Sequence, residues 1–353
     1  MKPTYRNVHN RFLLNGIHFN YEDLFEVAYS FIKEGEQYQQ LIGDFILDWI
    51  SYDPYISLKT SGSTGSPKFI RFKKQALVKS ALATGNHFNL QVGDKALHCL
   101  NADFIAGKMM LIRAMILGLE IDLVPPQGNV LSHTTKNYDF VAMVPRQVES
   151  SFDSLNRVKT LLIGGAPSTS LLKERLKSTQ LNCFETYGMT ETLTHIATRN
   201  IKEDKHFKLL DGVHISQDKR GCLILKVPYI TSQEIVTNDL VELVSAQHFI
   251  LKGRVDNVIN SGGVKIIPEE VEAILSSYID TPFFIGSVQD PSLGEKLVLV
   301  VEGKAAIGLI QTIKGISSLN QFQRPKMVYE MSEFIRTSNG KIKRKDTLAT
   351  LDL

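Results

Sequence analysis

Between residues 55 and 188, short apolar runs of strand character alternate with longer segments of helical spacing. No other feature limits the fold as much. Strands are predicted at 55–60, 96–100, 120–124, 140–144, 158–163 and 182–185, with helices at 74–88, 107–117 and 169–178. Gly118 is placed to end the second of these helices, and Pro125-Pro126 to stop the strand after it. Strands separated by helices at this spacing pair in parallel, so an α/β core with a mostly parallel sheet is expected. Residues 69–72 are positioned to return along 55–60 as a hairpin, and 21–32 and 38–50 carry helical spacing. From about residue 205 the spacing shortens and strand pairs dominate.

A chain of 353 residues suggests two domains rather than one. The polar, turn-prone stretch Gly253-Arg254-Val255-Asp256-Asn257 marks the expected boundary: a large domain over 1–253 and a small α+β domain over 254–353. A helix in the small domain is expected to open at Pro268, with Glu269, Glu270 and Glu272 near its positive end.

Composition narrows the class. Hydrophobic residues make up 43% and charged residues 22%, as in folded soluble proteins. The net charge is only +3 and the basic residues are interspersed with acidic ones, so no nucleic-acid footprint is present. The most apolar stretch, 109–124, falls short of the ~20 residues of a membrane span and is broken by Arg113, Glu120 and Asp122. The opening MKPTYRNVHNRF is not followed by the apolar stretch of a secretory signal. Cys99, Cys183 and Cys222 are too scattered for a disulfide framework or a metal set. A cytoplasmic location without membrane insertion is expected, and oligomeric state stays open.

The segment after the first predicted strand is Thr60-Ser61-Gly62-Ser63-Thr64-Gly65-Ser66-Pro67-Lys68. Its glycines let the backbone turn its N–H groups outward, its hydroxyls add donors, and Lys68 adds charge, a composition suited to phosphates. It is not a Walker loop, because Pro67 separates Ser66 from Lys68 and Phe69 follows the lysine. Taken alone, an ordinary surface loop would read the same way.

Three further clusters carry chemistry. Tyr187-Gly188-Met189-Thr190-Glu191-Thr192 follows a predicted strand, and strand carboxyl ends are where open α/β sheets bind ligands. Glu191 there can hold Mg2+ against phosphate, or simply face solvent. In Thr237-Asn238-Asp239-Leu240, Asp239 can accept two ribose hydroxyls, and Arg254 offers five donors in a rigid fork. Arg336-Thr337-Ser338-Asn339-Gly340-Lys341-Ile342-Lys343-Arg344 holds a tight-turn signal that would present Lys341.

Taken in order, these segments, with Gly164-Gly165-Ala166-Pro167 and the stretch 253–272, resemble the adenylate-forming superfamily of acyl-CoA synthetases, peptide-synthetase adenylation domains and luciferases. The part before the Ser/Gly loop is much shorter than in most members. The resemblance implies a large adenylating domain with mixed, mostly parallel sheets and a small domain rotating about a hinge. It implies that Thr60, Ser61, Gly62, Ser63, Thr64, Gly65 and Lys68 hold the ATP phosphates. Gly165, Ala166, Pro167 and Tyr187 would lie by the adenine, with Gly188 a further nucleotide-binding residue. Thr190 would contact the α-phosphate and Glu191 would hold Mg2+. Asp239 and Arg254 would bind the ribose, and Asp256 would be the hinge. Lys341 would steady the carboxylate and α-phosphate during adenylation, and Gly262-Gly263 would face the coenzyme A path.

The compact chain and the segment 100–110 look most like o-succinylbenzoate–CoA ligases of menaquinone biosynthesis. Phe104, Lys108 and His195 are the expected acyl-pocket residues, with Lys108 a partner for the second carboxylate of a diacid and Arg113 a weaker one. The implied partners are a carboxylic acid, ATP and coenzyme A. Three alternatives stay open: another aryl- or acyl-CoA ligase, an adenylating enzyme loading a carrier-protein thiol, and a non-catalytic nucleotide-binding protein. Asn238 departs from the glycine or other small residue usual before the ribose aspartate, and Asn257 from a second acid after the hinge.

Overall fold

The structure is a computed structural model that describes residues 3–59, 69–337 and 341–351. The Thr60–Lys68 loop and Asn339-Gly340 therefore lie outside the described residues. The chain divides into two compact units. One comprises Met1–Ser168, Arg175–His214 and Lys226–Ile235, the other Thr169–Glu174, Ile215–Leu225 and Val236–Leu353.

In the first unit the strands are β1 (Leu13–Leu14), β2 (Ile17–His18), β3 (Tyr55–Lys59), β4 (Phe69–Lys73), β5 (Lys95–His98), β6 (Glu120–Leu123), β7 (Tyr138–Met143), β8 (Val158–Ile163), β9 (Asn182–Gly188), β10 (His195–Asn200) and β11 (Phe207–Leu209). The main order is β11-β10-β9-β8-β7-β5-β6-β1-β2. The pairs β9/β8, β8/β7, β7/β5, β5/β6 and β6/β1 are parallel. Those joining β10 to β9 and to β11 are antiparallel. The fold is thus mixed α/β. β3 and β4 form the expected hairpin, with Lys59 opposite Phe69, so the two ends of the Ser/Gly segment are fixed side by side.

Helices α1 (Leu24–Glu34), α2 (Gln37–Ile50), α3 (Lys74–His87), α4 (Ile105–Leu117) and α5 (Pro145–Ser150) belong to this unit. The last is not among the helices predicted from sequence, which place only a strand at 140–144 before Pro145. Here it occupies the first helical turn, where its missing N–H costs nothing. Gly118 ends α4 in the left-handed conformation (φ 74°), returning its N–H to Ala114. The core joins Trp49, Phe45 and Ile42 of α2, Leu77 of α3, Met109, Met110 and Ile112 of α4, and Phe140 of β7. Each such side chain contributes ~1.5–3 kcal/mol by leaving water.

The second unit holds two sheets. β12 (His214–Gln217), β13 (Cys222–Lys226), β14 (Ile235–Ser245) and β15 (His248–Arg254) lie in that order. The other sheet contains β16 (Ile259–Ser261), β17 (Val264–Ile266), β18 (Phe283–Asp290), β19 (Gly294–Glu302) and β20 (Met327–Met331), ordered β17-β16-β19-β18 with β20 on β19. α7 (Pro268–Leu275), α8 (Leu309–Gly315) and α9 (Arg344–Ala349) accompany it, α6 (Ser170–Lys177) having preceded in the chain. As expected, Pro268 starts α7, with Glu269 and Glu270 in its first turn. Arg344 grips Glu272 with both terminal nitrogens, at 2.7 and 2.8 Å, and Glu272 also accepts the Ile285 N–H. A Cβ on Gly286 would come within 2.8 Å of Leu348, so α9 lies close on β18. Arg336 pairs with Glu302 on β19.

Among the described residues no helix is long and apolar enough to cross a membrane. Cys99, Cys183 and Cys222 are all buried and free.

Candidate active site

The carboxyl ends of the parallel strands gather the first unit's motif residues. Because Ile163 of β8 sits opposite Glu185 of β9, the Gly164–Pro167 turn emerges beside Tyr187-Gly188. Gly165 has φ 84°, which favours glycine. Tyr187 is buried, its ring 5.9 Å from Phe207. β9 runs to Gly188, three residues beyond the predicted strand, because β10 pairs along it as far as His195. Gly188 has to be small there, since a Cβ would come within 2.7 Å of the His195 Cα.

Thr190–Thr192 forms one turn of 3-10 helix, and Leu193 then takes φ 63°, a costly angle for a branched side chain. Thr192 holds this turn: its hydroxyl accepts from Met189 N–H at 2.9 Å and lies 2.8 Å from the Thr194 carbonyl. The result projects Glu191 outward. Glu191 is exposed and makes no hydrogen bond or ion pair among the described residues. No group of three His, Cys, Asp or Glu side chains suited to a metal occurs among them either. One uncommitted carboxylate fits Mg2+ held mainly by substrate phosphates and water, rather than in a protein cage.

Behind this turn lies a buried polar cluster. Arg113 of α4 is 2% exposed. Its Nη2 donates to Thr194 Oγ1 at 2.9 Å, and its Nε has no partner among the described residues. Among the described residues no carboxylate pairs with it, and burial lowers its pKa to about 9. Thr194 in turn lies 3.3 Å from Nδ1 of His195, whose Nε2 is 3.4 Å from Thr84 Oγ1. Burial, then the positive charge of Arg113, holds His195 neutral well below the ordinary histidine range. Sequence reasoning ranked Arg113 behind Lys108. The available signal was a second cation, deeper than Lys108 in an otherwise apolar helix.

Lys108 is placed elsewhere. It is half-buried one turn into α4, its ammonium 5.9 Å from the Phe45 ring centroid. Burial lowers its pKa, against Asp103 and Asp48. Phe104 caps the same helix and accepts the Lys108 N–H at 3.3 Å.

Histidine burial has a consequence for stability. His98 is fully buried with neither ring nitrogen hydrogen-bonded among the described residues, and burial lowers its pKa from 6.5 to about 4. His87 and His195 are also lowered by burial. The unfolded chain therefore takes up protons near pH 6.5 that the folded chain refuses, so stability is lost as pH falls from 6.5 towards 4. From pH 7.5 to 5 we expect a loss on the order of 2 kcal/mol from His98 alone, seen as a lower urea midpoint. A midpoint that held or rose over that range would contradict it.

In the second unit, Asp239 of β14 and Arg254 of β15 are direct cross-strand partners, with Arg254 Nη1 donating to Asp239 Oδ1 at 3.0 Å. Arg254 Nη2 also reaches Asp256 at 2.8 Å. Asn238 Nδ2 lies 3.2 Å from both Asp256 oxygens. Partial burial works to raise the Asp256 pKa, but Arg254 and Asn238 outweigh it and the carboxyl is lowered. Gly262 (φ 59°) and Gly263 (φ 83°) form the two-residue turn between β16 and β17, where both positions need positive φ.

Arg336 and Ile342 form an antiparallel bridge. Thr337 N–H donates to the Lys341 carbonyl at 2.8 Å. This presents Lys341, whose side chain is exposed. Its pKa is lowered by desolvation and by Arg254, against Asp239, which puts the lysine within electrostatic range of the Asp239–Arg254 pair.

A family model described as AMP-binding enzyme matches residues 50–214. An AMP-forming acyl-CoA synthetase/AMP-acid ligase II-like protein from Dyadobacter fermentans is 33% identical, with TM-score 0.61, over 92% of this chain and 97% of that one. The 2-succinylbenzoate–CoA ligase of Enterococcus faecalis is 26% identical over 333 residues, 80% of this chain and 67% of that protein. The Bacillus subtilis O-succinylbenzoate coenzyme A synthetase, solved with ATP and magnesium, shares the fold with TM-score 0.73 at 21% identity, over 83% of this chain and 69% of that one.

Proposed function

This chain belongs to the AMP-binding enzyme family of AMP-forming acyl-CoA synthetases, and from that premise we propose that it joins 2-succinylbenzoate to coenzyme A through an acyl-adenylate. The observation that carries the choice of acid is Arg113, a buried guanidinium without an acidic partner among the described residues, bonded to Thr194 just after the Thr190–Thr192 turn. A buried cation is costly unless something anionic meets it. A diacid supplies that anion: one carboxylate reacts and the other lies against Arg113. Likeness to named 2-succinylbenzoate–CoA ligases supports the same substrate.

The chemistry has two steps. An oxygen of the reacting carboxylate attacks the α-phosphorus of ATP, the bond to the β-phosphate oxygen breaks, and diphosphate leaves. The coenzyme A thiolate then attacks the acyl carbonyl and AMP departs with the bonding electron pair. Thr60, Ser61, Gly62, Ser63, Thr64, Gly65 and Lys68 are assigned to the phosphates, and Thr190 to the α-phosphate. Gly165, Ala166, Pro167 and Tyr187 are assigned to adenine, Gly188 to the nucleotide, and Asp239 with Arg254 to the ribose. Glu191 would hold Mg2+, which neutralises phosphate charge when bound. Phe104, Lys108 and His195 are kept as acyl-pocket residues, although Lys108 is turned toward Phe45. We take 254–353 as the rotating segment, Asp256 as its hinge and Gly262-Gly263 as the coenzyme A path.

The test is thioester formation from 2-succinylbenzoate, ATP, Mg2+ and coenzyme A, beside benzoate and a fatty acid. A preference of about a hundredfold or more for the diacid is expected, a buried charged contact being worth several kcal/mol. Equal turnover of benzoate would remove the diacid reading and keep the ligase chemistry. Acyl-adenylate that builds up without thioester would point to a carrier-protein thiol as acceptor.

A further inference from the structure

Asn238 occupies a position where the ribose-binding motif needs no side chain, yet its amide is fully engaged. Arg220 Nη1 donates to Asn238 Oδ1 at 3.1 Å, while Asn238 Nδ2 faces both oxygens of Asp256 at 3.2 Å. A donor on one side and a carboxylate on the other fix which way the amide points. Arg220 is itself held: its Nε donates to Asp218 at 2.8 Å and its Nη2 to the Thr237 carbonyl at 3.2 Å. The chain of contacts runs from the turn between β12 and β13, through Asn238 on β14, to the residue assigned as hinge. Arg254 joins the two ends, touching both Asp239 and Asp256. The hinge carboxylate is thus gripped by the two residues that flank Asp239, one along the strand and one across it.

We propose that Asn238, oriented by Arg220, is a positioning residue that clamps the hinge carboxylate Asp256 and so favours the arrangement in which Lys341 lies near the Asp239–Arg254 pair. This rests on the two-step reading above. In that arrangement the carboxylate accepts from Asn238 and Arg254 together. Rotation about residue 256 moves the backbone that carries it and loosens the grip. The clamp therefore biases the enzyme toward the first step and opposes departure to the second. It acts through Asp256 and touches neither substrate.

The experiment compares wild type, Asn238→Ala and Arg220→Ala in the separated half-reactions: diphosphate release on acyl-adenylate formation, and thioester formation from chemically prepared acyl-adenylate. For Asn238→Ala the first should fall about fivefold, the size of one partly exposed hydrogen bond to a charged group, while the second holds or rises. Arg220→Ala should move the ratio the same way by less. Amide hydrogen exchange over residues 254–258, measured without nucleotide, should quicken in Asn238→Ala. Equal scaling of both half-reactions, or unchanged exchange over 254–258, would overturn the clamp. Should wild type form no adenylate from any acid tested, the functional reading fails, and the exchange measurement still decides whether Asn238 restrains the hinge.

Discussion

Lys341→Ala is expected to slow acyl-adenylate formation by about two to three orders of magnitude while changing thioester formation from preformed acyl-adenylate by about threefold or less. In the first step negative charge on the carboxylate must approach negative charge on the α-phosphate, and an ammonium between them lowers that barrier. In the second the adenylate already exists and a thiolate attacks a neutral carbonyl, so the same charge has little to stabilise. Lys341 is an exposed side chain presented beside an antiparallel bridge, so its removal should leave the fold intact. The lowered pKa adds a sign. The ammonium loses its proton at a lower pH than an ordinary lysine, so on the alkaline side the first half-reaction should decline before the second. Comparable losses in both half-reactions would remove the lysine from this role.

Arg113→Met is expected to cost about a hundredfold in kcat/KM for 2-succinylbenzoate, nearly all of it in KM, with benzoate turnover changed little. The same change should raise resistance to urea, because a buried guanidinium with an unpartnered Nε is replaced by an apolar chain of similar length. The two readouts moving in opposite directions make the test sharp. A residue that only supports the fold would lose stability and activity together. Unchanged discrimination between the two acids would show that the second carboxylate binds elsewhere, with Lys108 the next residue to replace.

What was legible in the sequence follows from range. Gly118 reads as a helix end because the left-handed angle it supplies is a local requirement, and it ends α4 in that conformation. The strand over 158–163 is visible as a short, mainly apolar run that ends in Leu161-Leu162-Ile163 before two glycines, and the observed element has the same limits. Contacts between distant segments leave no such trace. Arg113 and Thr194 are 81 residues apart, so a cation in an apolar helix could be noticed but its lack of a carboxylate partner among the described residues could not. Lys108 reads from sequence as the partner for a diacid's second carboxylate, yet the fold sets it against Phe45. Asn238 read only as a residue small enough for a turn. Its grip on Asp256, 18 residues away, depends on the register of β14 against β15.

The ties that hold Arg344 to Glu272 and α9 to Gly286 make the small helical part of the second unit a ready-made ruler. Lys341 is three residues from Arg344, and its carbonyl accepts the Thr337 N–H, so in the proposed rotation it would move with the body beneath it. Fluorophores on Tyr278 and Lys345, both exposed, would keep one separation throughout turnover and calibrate the optical signal internally. With that standard in hand, a third dye elsewhere in the chain would test the rotation proposed for 254–353, which should show as discrete levels rather than a smear.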